Sequence, residues 1–128
     1  KLQRKVELIR DASAQKFTII GWTTELPQLL ASHHILVSKA GGATVQETIA
    51  AACPIIINQI VPGQEEGNAQ LITQTNSGAV ALTNDEVMAT LTRAFANDAS
   101  LLREWSANIA KISRPAASLE IAKFLLKL

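Results

Sequence analysis

The sequence predicts an α/β domain with a parallel sheet, and three features of its hydrophobic pattern lead to this fold class. Short, continuously apolar runs lie at 17–20, 35–38, 55–58 and 79–82, and segments with helical spacing separate them. Alternation of apolar and polar residues, which a sheet with one solvated face would show, is absent from these runs. Continuous runs of this length are typical of strands that helices bury on both faces.

Helices are expected between these strands and then alone in a helical C-terminal tail. The helices between strands are predicted at about 25–32, 45–52 and 65–75. The tail begins with Thr83 to Glu86, which fits a capping box, and further helices are predicted from near Asp98 and after Pro115. A length of 128 residues, 48% of them apolar, suits one compact domain over residues 1–128.

The composition argues against several classes of protein. Only 18% of the residues are charged and the formal net charge is +1, whereas nucleic-acid binders usually carry a basic surplus on one face. The single Cys53 excludes a disulfide framework within the chain, and its apolar neighbours predict a buried structural thiol. The apolar runs are far shorter than the ~20 residues that span a bilayer, and no signal peptide is visible. A soluble, intracellular protein is therefore expected.

The loop at 38–47 runs from a buried strand through Gly41 and Gly42 into a helix. Glycines let a ligand approach the backbone closely, and unpaired N–H groups at a helix start attract phosphate. The loop has neither a Walker A motif nor a G-x-G-x-x-G motif, so the glycines alone are a weak signal. The spacing of Thr44 and Glu47 also fits an ordinary capping box. Both roles are compatible, because a carboxylate in the first helical turn also suits the paired hydroxyls of a ribose.

The loop at 61–69 follows the next strand and carries amide and carboxylate groups at another helix start. Sugars are recognised by such groups, because each hydroxyl needs a donor and an acceptor. The alternative is a solvated helix N-terminus, where the helix dipole favours acidic residues by ~0.3–1 kcal/mol. In doubly wound sheets ligands bind at the carboxyl ends of strands, and both loops are predicted to lie there.

Together the two loops resemble one glycosyltransferase family. It contains the monogalactosyldiacylglycerol synthases, the bacterial diacylglycerol glucosyltransferases and the peptidoglycan-precursor N-acetylglucosaminyltransferase, and the similarity is to their C-terminal domain. The resemblance runs from about Phe17 to the end of the chain. Its motifs are Gly21-Trp22, Glu25-Leu26, Val37-Ser38-Lys39-Ala40-Gly41-Gly42-Ala43-Thr44 with Glu47, Pro54, and Pro62-Gly63-Gln64-Glu65-Glu66-Gly67-Asn68-Ala69. The last octet is the most specific, and with Ser38-Lys39-Ala40-Gly41 it favours the diacylglycerol branch.

The resemblance implies the C-terminal half of a GT-B enzyme, in which two Rossmann-like domains face a cleft. This half holds the UDP-sugar, and diacylglycerol binds through the N-terminal domain, so a peripheral position at the inner face of the membrane is expected. The lipid hydroxyl attacks the anomeric carbon with inversion, and charge builds on the departing UDP. Helix N-termini and side chains hold the donor phosphates in place of a required metal, so no metal and no cofactor besides the donor substrate is expected.

The resemblance also assigns donor-binding residues by motif position. Trp22 would lie beside the uracil, while Gly42, Ala43 and Thr44 would approach the diphosphate and Glu47 would bind the ribose hydroxyls.

The second loop would meet the transferred sugar. Gln64 and Glu65 would hold its hydroxyls and Asn68 would support the loop. No catalytic residue is expected in this chain, because the family's base belongs to the N-terminal domain.

The sequence departs from the family at two places. His34 stands where the family often has Asp, and the His33-His34 pair is interpreted as structural, at a strand edge. Two strands and the glycine-rich turn that normally open the family domain are expected to be missing ahead of Lys1, and the residues from Lys1 have the spacing of an amphipathic helix. A fragment that is inactive by itself is expected, with strands 35–38, 55–58 and 79–82 contiguous and 17–20 separated from them or displaced.

Three functions fit these observations. The first is the donor-binding part of a UDP-sugar:diacylglycerol hexosyltransferase. The second is the donor domain of the peptidoglycan-precursor transferase, against which the Gln64 to Gly67 run weighs. The third is a non-catalytic donor-binding subunit of a two-chain glycosyltransferase.

Overall fold

The computed structural model describes residues 17–127. Helices and strands alternate and then give way to helices alone. The elements in chain order are α1 (Leu26–Ser32), β1 (Leu36–Lys39), α2 (Gly42–Ala50), β2 (Ile55–Gln59), α3 (Glu66–Gln74), β3 (Gly78–Val80), α4 (Asn84–Ile112) and α5 (Ala117–Leu125). The amphipathic helix expected from Lys1 lies outside the described residues.

The sheet is parallel, with β2 between β1 and β3. Leu36 is in register with Ile55 on β2, and Ile55 is in register with Gly78 on β3. This arrangement confirms the predicted contiguous set of three strands. Because the strands are parallel, the loops that follow β1 and β2 leave the sheet at the same edge.

The central strand explains why the sheet needs helices on both faces. Ile55, Ile56 and Ile57 are all fully buried, although neighbouring side chains on a strand point to opposite faces. Ile55 and Ile57 belong to one apolar cluster with residues of α2 and α3, whereas Ile56 belongs to a second cluster with Ala94 and Trp105 of α4. The continuously apolar run in the sequence is thus the signature of a strand covered on both sides.

The predicted strand at 17–20 is wrong, because this segment has no regular secondary structure. A strand needs a hydrogen-bonded neighbour, and within residues 17–127 β1 pairs with β2 alone. Phe17 and Ile20 are 39% and 51% exposed, so the apolar run here does not enter the core. The apolar residues at 17–20 are therefore not enough to place this segment in the sheet.

The C-terminal helices follow the sequence signals. Thr83 and Glu86 form the predicted capping box at the start of α4, with the Glu86 N–H donating to Thr83 Oγ1 at 3.2 Å and the Thr83 N–H to Glu86 Oε2 at 3.1 Å. Helical geometry breaks from Ala96 to Ala99, which confirms a helix boundary near Asp98. None of the helices between residues 17 and 127 has the length and apolar character to cross a membrane.

Cys53 and His33 lie close to the start of β1 and make local contacts there. Cys53 is 2% exposed, and burial raises the pKa of its thiol because a thiolate is poorly solvated there. His33 Nδ1 lies 2.6 Å from the Leu29 carbonyl oxygen at the end of α1. Cys53 is therefore the buried structural thiol that the sequence predicts.

Candidate functional site

The loops after β1 and β2 are joined by two side-chain contacts at the carboxyl end of the sheet. Lys39 Nζ forms an ion pair with Glu65 Oε1, across 26 positions of sequence. Asn68 Nδ2 donates a hydrogen bond of 2.9 Å to the Ala40 carbonyl oxygen. Each contact links the end of β1 to the start of α3, so the two loops are parts of one surface.

The first loop enters α2 directly from Gly41, which is the N-cap residue in an extended conformation with φ −63° and ψ 135°. The Val45 N–H donates to the Gly41 carbonyl oxygen at 2.9 Å, so helical hydrogen bonding begins at that residue. The alternative capping box at Thr44 and Glu47 is therefore wrong: Thr44 lies inside the first turn, and the N-cap has no side-chain hydrogen bond. The two glycines start the helix earlier than the capping pattern indicates.

The start of α2 offers main-chain donors to solvent. The first N–H groups of an α-helix have no partner within the helix. Gly42 and Ala43 are exposed and Thr44 is half-buried, so ligands can reach this turn. These donors and the helix dipole favour an anionic group such as a phosphate.

Gly41 also makes room for the ion pair. A Cβ atom at this position would lie 2.9 Å from Lys39 Nζ and 3.8 Å from Glu65 Oε1. A side chain here would therefore push the ammonium group away from its present place against the loop. The glycine serves close packing, since its φ lies in a region open to any residue.

The second loop begins with a tight turn from Val61 to Gln64. The Gln64 N–H donates to the Val61 carbonyl oxygen at 3.2 Å, and Gly63 has a φ of +78°. Pro62 at the second position and Gly63 at the third fit a type II turn, which needs a positive φ at its third residue. The Gly63 N–H donates to Glu66 Oε1 at 2.5 Å, and this bond is the main reason that the pKa of Glu66 lies below its ordinary value.

Glu65 lies at the N-cap of α3 and is only 6% exposed. Its Oε2 accepts a hydrogen bond of 3.0 Å from the Val61 N–H, and its Oε1 is bonded by Lys39. The hydrogen bond from Lys39, followed by the one from Val61, holds the pKa of Glu65 below its ordinary value of 4.5. The alternative of a solvated helix N-terminus therefore applies to Glu66, which is exposed, and is wrong for Glu65, which is buried.

The structure brings together five of the residues that the resemblance assigns to the donor. Glu65 and Asn68 both contact the end of β1, and Asn68 Nδ2 lies 3.6 Å from the position of a Cβ atom on Gly42. Ala43 follows in the first turn of α2, and exposed Gln64 adjoins Glu65. This group places main-chain donors, an amide and a carboxylate at one edge of the sheet.

Glu47 and Trp22 lie outside this group. Glu47 is exposed on α2 and lines a groove of about 340 Å³ between α1 and α2, together with Pro27, Ala31, Ala50 and Ala51. Trp22 precedes α1 and is 92% exposed. The ribose and uracil assignments of these two residues stay predictions.

Lys39 is the residue of this site to which sequence reasoning gave no role. The ladder between β1 and β2 is irregular here, because Ser38 pairs with Ile57 whereas Lys39 pairs with Gln59. Such irregularities redirect side chains at strand ends. A lysine at the end of one strand and acidic residues after the next, on the same edge of a parallel sheet, were the available signal.

A profile described as glycosyltransferase family 28 C-terminal domain matches residues 2–119. The chain belongs to this family. The match and the parallel sheet with its helical tail confirm the predicted Rossmann-like α/β fold class of a GT-B C-terminal half.

Curated relatives support the branch that the motifs indicate. The chain is 29% identical to monogalactosyldiacylglycerol synthase 3, chloroplastic, of Arabidopsis thaliana over 103 residues, which are 80% of this chain and 22% of that protein. It is 35% identical to the processive diacylglycerol beta-glucosyltransferase of Staphylococcus carnosus (strain TM300) over 74 residues, 58% of this chain and 19% of that protein. The Bacillus subtilis (strain 168) protein of the same name is 25% identical over 102 residues, 80% of this chain and 27% of that protein. The chain thus spans about a quarter or less of these relatives.

Proposed function

We propose that this chain is the UDP-sugar-binding part of a hexosyltransferase that glycosylates diacylglycerol. Family membership and the names of the relatives support the reaction class and the acceptor. The main support for the proposal is that two contacts join the loops: the Lys39–Glu65 ion pair and the hydrogen bond from Asn68 to the Ala40 carbonyl oxygen. These contacts hold the N-terminus of α2, which suits a phosphate, next to the polar side chains of the second loop, which suit a sugar.

The first loop would hold the nucleotide. The diphosphate would lie at the first turn of α2, where the N–H groups of Gly42, Ala43 and Thr44 and the helix dipole meet its negative charge without a required metal. Glu47, further along the same helix, would accept hydrogen bonds from the two ribose hydroxyls. Trp22, which is 92% exposed, would cover the uracil with its free ring face.

The second loop would hold the hexose. Gln64 is exposed and offers both donors and acceptors to sugar hydroxyls, whereas Glu65 offers acceptor lone pairs that Lys39 and Val61 leave unused. Asn68 would act indirectly, since its amide fixes the Ala40 carbonyl and with it the start of the glycine turn.

The reaction would require groups outside this chain. The acceptor hydroxyl forms a bond to the anomeric carbon while the bond from that carbon to the UDP oxygen breaks, and the hydroxyl proton passes to a base in the acceptor-binding part of the enzyme. The start of α2 would stabilise the charge that develops on departing UDP. We place the complete enzyme peripherally at the inner face of the membrane, where its lipid acceptor lies.

Isothermal titration calorimetry on the 128-residue chain tests the proposal. UDP, UDP-glucose and UDP-galactose should bind, at least one UDP-sugar should bind more tightly than UDP, and EDTA should leave all three affinities unchanged. ADP-glucose is the matched control and should bind at least tenfold more weakly than UDP-glucose. Equal affinity for ADP-glucose, or no binding of any UDP compound, would contradict the proposed donor.

A further inference from the structure

The Lys39–Glu65 pair is asymmetric in its exposure to solvent. The Lys39 side chain is 51% exposed, whereas that of Glu65 is 8% exposed. A carboxylate so far removed from water needs compensating partners to stay ionised. Lys39 and the Val61 N–H supply that compensation, one to each carboxylate oxygen. The buried Glu65 carboxylate therefore depends on Lys39 to stay ionised, whereas the exposed Lys39 ammonium can be solvated by water without Glu65.

The pair also fixes the direction of the carboxylate. With one oxygen held from β1 and the other from the turn at Val61, the plane of the Glu65 carboxylate cannot rotate without breaking a bond. Each oxygen has a further lone pair, so the carboxylate can still accept from a ligand. A fixed acceptor binds a hydroxyl in the matching position more tightly than a mobile one does, because less conformational entropy is lost on binding.

We propose that Lys39 is a positioning residue of the donor site, whose ammonium group holds the Glu65 carboxylate ionised and oriented to accept hydrogen bonds from the donor hexose. This inference rests on the proposed function, because it takes Glu65 to meet the hexose. Lys39 acts through Glu65, and its loss should weaken recognition of the sugar while leaving recognition of UDP intact.

A double-mutant cycle on the full chain tests this coupling. Glu65→Gln and Lys39→Met should each weaken binding of the preferred UDP-hexose roughly tenfold, the loss expected for one charge-assisted hydrogen bond, and should change UDP affinity less than about twofold. In the Glu65→Gln background, Lys39→Met should cause little further loss of UDP-hexose affinity, because the carboxylate that Lys39 positions is already absent. Lys123→Met, which removes an exposed lysine from α5, is the matched control and should bind like the wild type.

The pH dependence of sugar binding distinguishes this positioning role from a purely structural one. Lys39 and Glu66 are the charged groups of the described residues that act on Glu65, the first lowering and the second raising its pKa. Removal of Lys39 therefore raises the pKa of Glu65. The ratio of UDP-hexose to UDP affinity should then fall at a higher pH in Lys39→Met than in the wild type as the solution is acidified.

The possible outcomes separate this inference from the function on which it rests. If Lys39→Met weakens UDP binding as much as UDP-hexose binding, or weakens UDP-hexose binding equally in both backgrounds, the ammonium acts independently of Glu65 and the inference is overturned. If Glu65→Gln leaves UDP-hexose affinity unchanged while the wild type binds it, the inference and the Glu65 assignment fail together, but the donor site stands. Melting temperatures of all variants show that each is folded.

Discussion

The two loops at the carboxyl edge of the sheet present different parts of the chain to solvent. The loop after β1 presents main-chain N–H groups at an exposed helix start, with Gly42 and Ala43 open to solvent. The loop after β2 presents side chains, and its Glu65 is buried and bonded at both oxygens. A main-chain site suits a phosphate, whose charge is the same in every nucleotide sugar, whereas a fixed side chain suits a hexose that must be told from its epimers.

This difference predicts that substitutions in the two loops separate nucleotide binding from sugar binding. Glu47→Gln on α2 should have the largest effect, because it removes the charge from the proposed ribose acceptor. UDP and UDP-hexose affinity should fall together by roughly tenfold or more, the loss typical of a charge-assisted hydrogen bond of about 1.5–3 kcal/mol. Calorimetry on wild type and variant measures both losses.

The melting temperature should stay close to the wild-type value, since Glu47 is exposed and caps nothing. Unchanged UDP affinity in Glu47→Gln would remove the ribose assignment.

The second loop depends on backbone conformation at one residue. Gly63→Ala should destabilise the fold by about 1–2 kcal/mol, because a residue with a Cβ atom is disfavoured at the φ of +78° found there. Gly67→Ala, where a Cβ atom would meet nothing within 4 Å, should be neutral or slightly stabilising. Urea unfolding of both variants compares them, and equal stability of the two would show that the turn at Val61 to Gln64 does not restrain the loop.

Gln64→Ala should have a smaller and more selective effect. Loss of one neutral hydrogen bond of about 0.5–1.5 kcal/mol should weaken UDP-hexose binding between about twofold and about twelvefold. UDP affinity should not change, because Gln64 is assigned to the sugar alone. An equal loss for UDP and UDP-hexose would place this loop at the nucleotide instead.

The fold was predictable where the sequence carries a signal of burial on both faces. The isoleucines of β2 predicted a strand buried on both faces, and the glycines and polar residues after β1 and β2 predicted that both loops lie at one edge of the sheet. The run at 17–20 was mispredicted because apolar residues indicate burial but do not reveal whether a neighbouring strand is available for pairing.

The candidate site was predictable only in part, for a different reason. The Lys39–Glu65 pair lies where the register between β1 and β2 shifts, between Ser38 and Lys39, and no local pattern encodes that shift. The start of α2 at Gly42 depends on the extended backbone of Gly41, whereas the spacing of Thr44 and Glu47 favoured a later start. Contacts between distant segments and the conformations of glycines are set by tertiary structure.

The central claim is that both loops form one donor site, and hydrogen–deuterium exchange on the 128-residue chain tests it directly. Amides at 41–47 should become protected when UDP binds, and amides at 61–68 should gain protection only when the hexose is also present. Exchange at 117–125, on α5, should be the same in all states and serves as an internal reference. Protection of 41–47 by UDP-hexose without any change at 61–68 would contradict the account.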